Sequence, residues 1–466
     1  TTAVGGCSYQ IHTAHMLAAI NAGMFDIGVV VHGEAGYSRR NYPRGRMASH
    51  VLGFRNQFHT PLAGIEHHYQ LILDGKPSAV ASVTDGSGSP TLGQEDATLA
   101  AVAGCDIVLT LDVALQSYVD ARLDALWDYE SPRRAYAVVL EPATGAVVAM
   151  SSRPDFNPQV AVDGSDAKAE ERAAMSLDNT HNWAVESDFE PGSTLKVLLA
   201  AAAIEQGIGP NTTFDCHGTY EVKGGHPITC WGEYERKGHG RVDLEHMVAW
   251  SCNVSAAQLA LRLDPSYYLG FLRKAGLGRP PRAGFPAETA GQVPDASKVG
   301  QRDLAAMGFG QRLSTSPLQL AAAASALANG GLMAHPHIVS RVVRKDGSIF
   351  QEPSAPDPVR LCSAATARTV LDMMTAAVDY GTARVAQIES IPIAGKTGTA
   401  QIWDREAGRY LEDAYVTSFL LICPADEPRF VIYIAVDRAQ VSRHGSDAAG
   451  PAARDIASFA MRQVRE

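Results

Sequence analysis

The sequence predicts an α+β fold in which an antiparallel sheet is covered by helices. Apolar runs typical of strands lie at 135–151 and again beyond residue 393. Between them, a long segment carries apolar residues at helical spacing. Strands on both sides of a mostly helical middle are typical of a layered α+β domain.

The individual elements follow from periodicity and from turn residues. Helices are predicted over 11–22, 113–127, 194–206, 243–262, 301–329, 363–379 and 449–464. Strands are predicted over 25–31, 104–112, 135–140, 146–151, 338–343, 393–401, 416–422 and 430–436. The turn between Leu140 and Ala146 reads Glu-Pro-Ala-Thr-Gly, which predicts a hairpin.

Composition narrows the class of protein. The chain has 466 residues, enough for two or three domains, with 46% apolar and 19% charged residues, as in soluble globular proteins. A net charge of −10 argues against nucleic acid as a partner. No run of 18 apolar residues is present, so no membrane span is predicted. Because the chain begins with Thr1, we expect a fragment or a processed product.

Three short motifs carry the candidate chemistry. They are Ser-x-x-Lys at 193–196, Ser-x-Asn at 251–253 and Lys-Thr-Gly-Thr at 396–399. A second Ser-x-x-Lys at 165–168 lies in a polar loop, whereas Ser193 opens an apolar helix. Their order and setting, more than any single motif, point to a serine nucleophile.

Helical spacing explains how Ser193 becomes reactive. Side chains three residues apart on a helix are neighbours, which places the Lys196 amine beside the Ser193 hydroxyl. A lysine acts as a base only when neutral, so its pKa must fall through burial and through a second cation, for which Lys396 is the candidate. The helix N-terminus offers N–H groups to an oxyanion.

The Lys-Thr-Gly-Thr motif lies inside a predicted strand. Gly398 removes a side chain where the backbone must approach a ligand closely. A peptide could add to this strand by main-chain hydrogen bonds, with Lys396, Thr397 and Thr399 holding a carboxylate.

With these motifs, the chain resembles a class B penicillin-binding protein from about Arg40 to near its end. The resemblance implies a penicillin-binding/β-lactamase-like transpeptidase fold with helices on both sides of the sheet, a partial pedestal domain at 39–104 and a transpeptidase domain at 105–466. The matching runs begin at Arg40 (Arg-Asn-Tyr-Pro), Gly64 (Gly-Ile-Glu), Leu109 (Leu-Thr-Leu-Asp), Glu141 (Glu-Pro-Ala-Thr-Gly), Glu190 (Glu-Pro-Gly-Ser-Thr-Leu-Lys), Gly308 (Gly-Phe-Gly-Gln), Thr315 (Thr-Ser-Pro-Leu-Gln), Asn329 (Asn-Gly-Gly) and Ala394 (Ala-Gly-Lys-Thr-Gly-Thr-Ala-Gln).

The resemblance also implies catalytic roles in a peptidoglycan D,D-transpeptidase. Ser193 attacks the carbonyl of the penultimate D-alanine in a stem peptide ending in D-Ala-D-Ala, and Lys196 takes its proton. Ser251 relays a proton to the leaving D-alanine, and Asn253 orients Lys196 and the substrate amide. The backbone N–H groups of Ser193 and Thr399 form the oxyanion hole.

On the binding side, the resemblance implies that Lys396, Thr397, Gly398 and Thr399 hold the substrate. The expected partners are peptidoglycan stem peptides, β-lactam antibiotics and a membrane glycan polymerase, and no cofactor is expected. The implied location is the extracytoplasmic face of the bacterial cytoplasmic membrane, although the family's membrane anchor is absent from this sequence.

The segment 1–38 has a different character. Its Gly-Gly-Cys7-Ser run, the helix at 11–22 and the strand that follows resemble a piece of a thiolase. Because a thiolase needs a second half that is missing, Cys7 is expected to be catalytically silent.

Two other functions stay open at this point. A serine β-lactamase has the same serine and lysine, and one class uses a glutamate to activate water. Glu288 is the available glutamate, but it lacks the expected Leu-Asn context. A β-lactam-binding sensor or an inactive scaffold is the other alternative.

The seven cysteines form no C-x-x-C pattern. Cys216, His217, Cys230 and His239 cluster in sequence, but their spacing matches no standard zinc pattern. We therefore expect scattered core and loop residues and no metal site, with pairing of Cys216 and Cys230 left open.

Overall fold

The computed structural model forms two compact units, each built from separate segments. The residues that it describes are 30–31, 41–75, 79–81, 97–99, 103–352, 356–404 and 407–464. The smaller unit comprises the described residues within 1–38, 69–114 and 339–353, and the larger unit those within 39–68, 115–338 and 354–466. The sequence analysis divided the chain into contiguous segments, with a pedestal domain at 39–104 and a transpeptidase domain at 105–466. The roles of these segments stay a prediction.

The smaller unit is a four-stranded antiparallel sheet with one short helix, Gln70–Asp74, and a separate strand pair. The sheet strands are, in spatial order, Val30–Val31, Asp106–Leu109, Val339–Val343 and Ile349–Gln351. The separate pair is Ala79–Ala81 with Ala97–Leu99. Of the thiolase-like segment only 30–31 are described, so Cys7 and the predicted helix at 11–22 lie outside the described residues.

A five-stranded antiparallel sheet forms the centre of the larger unit. Its strands are β1 (Arg134–Leu140), β2 (Val147–Arg153), β3 (Ala394–Asp404), β4 (Arg409–Cys423) and β5 (Phe430–Asp437). The spatial order β3-β4-β5-β1-β2 joins strands from distant parts of the chain and leaves β3 at one edge. In β5 every residue from Val431 to Asp437 is buried, so both faces of the sheet are covered.

Helices supply that cover. They are α1 (Val113–Glu130), α2 (Lys196–Glu205), α3 (Leu244–Ala249), α4 (Asn253–Arg262), α5 (Pro317–Ala328), α6 (Ala364–Asp379) and α7 (Gly450–Gln463). Helices α1 and α7 share one hydrophobic core with Ile432 and Ile434 of β5. Helix α5 packs against β5 and β1. The predicted α+β fold, with helices on both sides of the sheet, is confirmed.

The larger unit contains further helices, turns and strand pairs, most of them short. The further α-helices are Ser49–Leu52, Gly64–His68, Pro158–Asp163, Ala169–Ala173, Leu177–Thr180, Trp183–Glu186, Tyr234–Lys237, Pro265–Lys274, Gln301–Met307 and Gly445–Ala448. The 3₁₀ turns are Gly164–Asp166, Gly192–Leu195, Ala296–Lys298 and Arg384–Ala386. The paired short strands are Phe214–Cys216 with Gly240–Val242, Thr219–Tyr220 with Ile228–Thr229, and Leu332–Met333 with Val359–Arg360. Among all described helices, none has the length and apolar character needed to cross a bilayer.

Two predicted helices are each divided in the structure. The helix predicted over 243–262 is broken between α3 and α4, where Ser251 has a positive φ of 57°. The helix predicted over 301–329 is broken before Pro317, which Ser316 precedes as the N-cap of α5. A left-handed serine cannot continue a helix, so the first break places Ser251 in a tight turn.

Candidate active site

Ser193 lies in a 3₁₀ turn at the start of α2, and the residue before it explains why. Gly192 has a φ of +58°, a conformation that favours glycine. A Cβ at Gly192 would lie 3.2 Å from the carbonyl oxygen of Thr399, so the turn packs directly against β3. The Gly192 N–H also donates to the carbonyl of Gly310 at 3.1 Å. The Pro-Gly pair of the sequence thus positions Ser193 beside the edge strand.

Lys196 lies under Ser193 and is the centre of a hydrogen-bond network. Its Nζ donates to Ser193 Oγ at 3.0 Å, to the Ser251 carbonyl at 2.6 Å and to Asn253 Oδ1 at 2.7 Å. The Ser251 Oγ lies 3.3 Å away. Ser193 and Lys196 are therefore in contact, as their spacing of three residues predicted. The other acceptors of Lys196 come from the turn between α3 and α4.

Lys396 reaches the same serine from β3. Its Nζ donates to Ser251 Oγ at 2.9 Å and to the Thr397 carbonyl at 3.0 Å. Like Lys196, it is 0% exposed. Ser251 thus lies between two buried amines, and Lys396 contacts the cleft through Ser251 and Thr397.

Burial changes the protonation of both lysines. Loss of solvent lowers the pKa of Lys196 from 10.5 to about 8. Burial, and then repulsion from Lys196, lowers the pKa of Lys396 well below its ordinary value. The sequence predicted that the charge of Lys396 would help to lower the pKa of Lys196. In the structure the repulsion lowers the pKa of Lys396, and desolvation lowers the pKa of Lys196. At least one of two amines that share Ser251 as acceptor is favoured in the neutral form, as a general base requires.

The Lys-Thr-Gly-Thr segment lies on β3 at the edge of the sheet. Within the described residues, β4 is its one strand partner. A Cβ on Gly398 would lie 2.2 Å from Ser418 Oγ and 3.0 Å from Thr194 Cγ2. In this structure the glycine is therefore needed for close packing of β3 against β4 and the Ser193 turn, a reason different from the predicted approach of a ligand.

A cleft of about 940 Å³ opens over these residues. Five of the eight predicted site residues line it, namely Ser193, Ser251, Asn253, Thr397 and Thr399. Lys196 and Lys396 lie behind this lining, one hydrogen bond from it. The three motifs, separated by up to about 200 residues in sequence, therefore converge on one cleft.

The structure adds two polar groups that the sequence analysis did not identify. Thr382 lines the cleft and its Oγ1 lies 3.0 Å from Thr397 Oγ1. Glu190 is hydrogen-bonded to the Tyr410 hydroxyl at 3.1 Å and to the Arg312 N–H at 2.9 Å, and burial raises its pKa to about 7. The only sequence feature that could have indicated Glu190 is its place in the Glu-Pro-Gly run before Ser193. No local sequence feature indicates Thr382.

The cysteines near Ser251 are not scattered, which corrects the sequence-based expectation. The potential ligand atoms of Cys216, Cys230, His239 and Cys252 all lie within 4.8 Å of one another. His217, which the sequence grouped with them, is exposed and outside this cluster. Cys252 was missed because it lies inside the Ser-x-Asn motif. Cys216 and Cys230 are free thiols.

Comparison with known proteins agrees with this geometry. The family model described as penicillin binding protein transpeptidase domain matches residues 135–458. This chain belongs to the penicillin-binding protein transpeptidase family. The match spans the sheet, the serine turn and all three motifs, and the resemblance to class B penicillin-binding proteins is confirmed.

Curated relatives of the family extend over most of the chain. Penicillin-binding protein PbpB of Mycolicibacterium smegmatis is 32% identical over 91% of this chain and 65% of its own length. PbpB of Mycobacterium tuberculosis is 33% identical over 91% of this chain and 62% of its own length. Stage V sporulation protein D of Bacillus subtilis is 32% identical over 90% of this chain and 63% of its own length. The chain thus spans less than two thirds of the length of these relatives.

Solved structures share the fold. Penicillin binding protein 3 from Mycobacterium tuberculosis, in its apo form, aligns with a TM-score of 0.79 at 31% identity, over 94% of this chain and 93% of that one. The same protein complexed with aztreonam aligns with a TM-score of 0.80. A family member with this fold thus binds a β-lactam.

Proposed function

We propose that the chain is a peptidoglycan D,D-transpeptidase that works through an acyl-Ser193 intermediate. The observation that carries the proposal is the 3.0 Å hydrogen bond between Lys196 Nζ and Ser193 Oγ, in a buried setting that lowers the pKa of the amine to about 8. A serine hydroxyl becomes a nucleophile when such a base accepts its proton.

In the acylation step, Ser193 Oγ attacks the carbonyl of the penultimate D-alanine while Lys196 takes the hydroxyl proton. The oxyanion accepts hydrogen bonds from the backbone N–H groups of Ser193 and Thr399, which flank the contact between the serine turn and β3. When the C–N bond breaks, Ser251 passes a proton to the leaving D-alanine. Its bonds to both lysines support that relay. An acceptor amine then attacks the acyl carbonyl, the ester bond to Ser193 breaks, and the proton lost by the amine returns to Ser193 Oγ through Lys196.

The substrate carboxylate binds at β3. Thr397 and Thr399 offer hydroxyl groups to the cleft, and buried Lys396 lies behind them as the source of positive charge. Binding of a carboxylate favours the protonated form of Lys396. Because two neighbouring ammonium ions repel each other, the same event favours neutral Lys196, so substrate binding prepares the base.

The wider assignments follow the family. Residues 39–104 serve as the end of a non-catalytic pedestal domain, and 105–466 as the transpeptidase domain. The partners are stem peptides, β-lactams that acylate Ser193, and a membrane glycan polymerase. The site of action is the extracytoplasmic face of the cytoplasmic membrane, where peptidoglycan is assembled.

The hydrolase alternative depends on a glutamate that activates water, and Glu288 does not suit that role. Its Oε1 accepts backbone N–H groups of Gly284 and Phe285, both at 3.0 Å, within its own turn. It is not among the residues that line the cleft. The binding-module alternative would be favoured by loss of a catalytic residue, and all three motifs are intact.

The test is turnover of a peptide ending in D-Ala-D-Ala in the presence of an acceptor amine. We expect release of D-alanine and formation of the amide with the acceptor, and neither product with Ser193→Ala. Rapid hydrolysis of a β-lactam without transfer of the peptide to the acceptor would favour the serine β-lactamase. Absence of peptide turnover despite stable covalent β-lactam binding would favour the sensor or scaffold.

A further inference from the structure

A second cluster of reactive side chains lies beside the active site, within the larger unit. Cys216 ends a short strand, Cys230 follows another, His239 precedes a third, and Cys252 is the N-cap of α4. Their four ligand atoms come from distant turns yet lie within 4.8 Å of one another. Three thiols and one imidazole therefore point at a common centre.

Three of the distances between ligand atoms are close to those of a tetrahedral metal site. Cys230 Sγ lies 4.0 Å from Cys252 Sγ, and His239 Nδ1 lies 3.3 Å from Cys230 Sγ and 3.7 Å from Cys216 Sγ. Bonds of about 2.3 Å from zinc to sulfur and about 2.0 Å to nitrogen, at tetrahedral angles, separate ligand atoms by about 3.5–3.8 Å. A disulfide requires sulfurs about 2.05 Å apart, so the 4.0 Å pair is unbonded.

The N-terminus of α4 is placed to stabilise a Cys252 thiolate. Cys252 Sγ accepts hydrogen bonds from Ser255 N at 3.4 Å and Ser255 Oγ at 3.1 Å, at the positive end of the α4 dipole. All three cysteines are buried, and buried anions held this close require a cation between them.

The imidazole is fixed in the orientation that a ligand needs. The His239 ring stacks on Tyr234, with centroids 3.9 Å apart and planes at 15°, and faces Trp250 at 5.9 Å and 10°. This packing aims Nδ1 at the sulfurs. Nε2 is buried and has no hydrogen-bond partner among the described residues, so the sulfur side is where this histidine makes its polar contacts.

Two other buried cysteines show the ordinary alternative. Burial raises the pKa of Cys362 to about 11 and that of Cys423 to about 12, as expected for inert core thiols. Neither belongs to a group of ligand residues in the described part of the chain. The cluster at Cys216 thus differs from a cysteine used for packing, because its four ligand atoms face one another within 4.8 Å.

We propose that Cys216, Cys230, His239 and Cys252 bind one Zn²⁺ ion. Three sulfurs and one imidazole nitrogen at these separations suit zinc, which prefers four such ligands, and four protein ligands leave no open position, which is the pattern of a structural site. The segment 214–242 has strands of two or three residues and one four-residue helix. An ion that joins its turns therefore stabilises a region with little regular structure.

The site also has a consequence for catalysis, which rests on the proposed function. Cys252 lies between Ser251 and Asn253, whose oxygens accept hydrogen bonds from Lys196. A metal bond to Cys252 therefore holds the turn between α3 and α4 and makes the four ligands positioning residues for Lys196. Loss of the ion is expected to slow acylation of Ser193 by about 10- to 100-fold through misplacement of these groups.

The first experiment measures metal bound to the whole chain purified without chelators. We expect about one zinc per chain in the wild type, less than about a tenth of that in Cys216→Ala, and the wild-type amount in Cys362→Ala. The Cys216 and Cys362 variants are a matched pair, since both cysteines are 1% exposed. His239→Cys keeps four ligands and is expected to retain zinc, which separates loss of a ligand from loss of the fold.

Co²⁺ then serves as a spectroscopic probe on the wild type. We expect thiolate-to-cobalt charge transfer and the visible bands of a tetrahedral site, displaced on addition of Zn²⁺. A chain that stays metal-free when titrated with either ion, or one in which two of these cysteines form a disulfide by intact mass, overturns the metal site.

The positioning role is tested by the rate of β-lactam acylation after removal of zinc and after its return. A slower rate that recovers with Zn²⁺ supports it, and an unchanged rate contradicts it. The two proposals fail separately. Zinc binding without acylation of Ser193 overturns the proposed function, whereas a wild-type chain that acylates Ser193 but takes up neither Zn²⁺ nor Co²⁺ overturns the metal site and leaves the proposed function standing.

Discussion

Two segments carry the same Ser-x-x-Lys motif, and the structure gives them opposite surroundings. At 165–168 the motif begins inside the 3₁₀ turn Gly164–Asp166 and ends at Lys168, the exposed residue before the helix Ala169–Ala173. At 193–196 it opens the buried helix α2, and Lys196 is 0% exposed. The motif by itself therefore does not make a base. Burial, together with acceptors from a second motif, is what converts the lysine into one.

The largest expected effect separates these two lysines directly. Lys196→Met removes the amine but keeps an unbranched side chain of similar length, and should lower the rate of β-lactam acylation by about 10²- to 10⁴-fold because the base is lost. Lys168→Met should leave the rate unchanged. Stopped-flow acylation of both variants makes the comparison, and equal effects would show that the surroundings of the two motifs do not matter.

A smaller effect is expected at the serine between the two amines. Ser251→Ala removes the hydroxyl that Lys396 contacts at 2.9 Å and Lys196 at 3.3 Å. Loss of one such bond to a charged group should slow acylation by about 10- to 150-fold. Ser325→Ala, also buried and with its hydroxyl bonded to Ala322, is the matched control and should acylate normally. A normal rate for Ser251→Ala would remove it from the relay.

The pH dependence gives the mildest test. Burial lowers the pKa of Lys196 to about 8, so the neutral amine accumulates as pH rises through that value. The acylation rate should therefore rise about tenfold per pH unit below 8 and level off above it. Lys168→Met should show the same profile. A rate that is flat between pH 6 and 9 would mean that the base is already neutral throughout, contrary to the effect of burial.

Local pattern explains which parts of the fold were predictable. The hairpin of β1 and β2 and strands β3 to β5 follow from continuous apolar runs, because both faces of the sheet are buried. The pairing of Ser193 and Lys196 follows from helical spacing alone. The break before Cys252 did not follow, because a left-handed Ser251 is held by tertiary contacts and not by its own propensity.

Tertiary convergence explains what the sequence missed. Cys252 lies close to Cys216, Cys230 and His239 only in the folded chain. The sequence spacings of the four residues match no standard zinc pattern. Thr382 meets Thr397 across 15 residues. The packing role of Gly398 depends on Ser418 and Thr194, which adjoin it only in the folded sheet. None of these contacts has a local sequence signal.

The most direct test of the account is to locate the covalent bond. The chain is incubated with a β-lactam, digested, and mapped by mass spectrometry, with Ser193→Ala and Ser165→Ala as the paired variants. We expect the adduct on the peptide that contains Ser193, full labelling of Ser165→Ala and none of Ser193→Ala. An adduct on any other residue, or labelling that survives Ser193→Ala, would contradict the assignment of Ser193 and the buried Lys196 as the reactive pair.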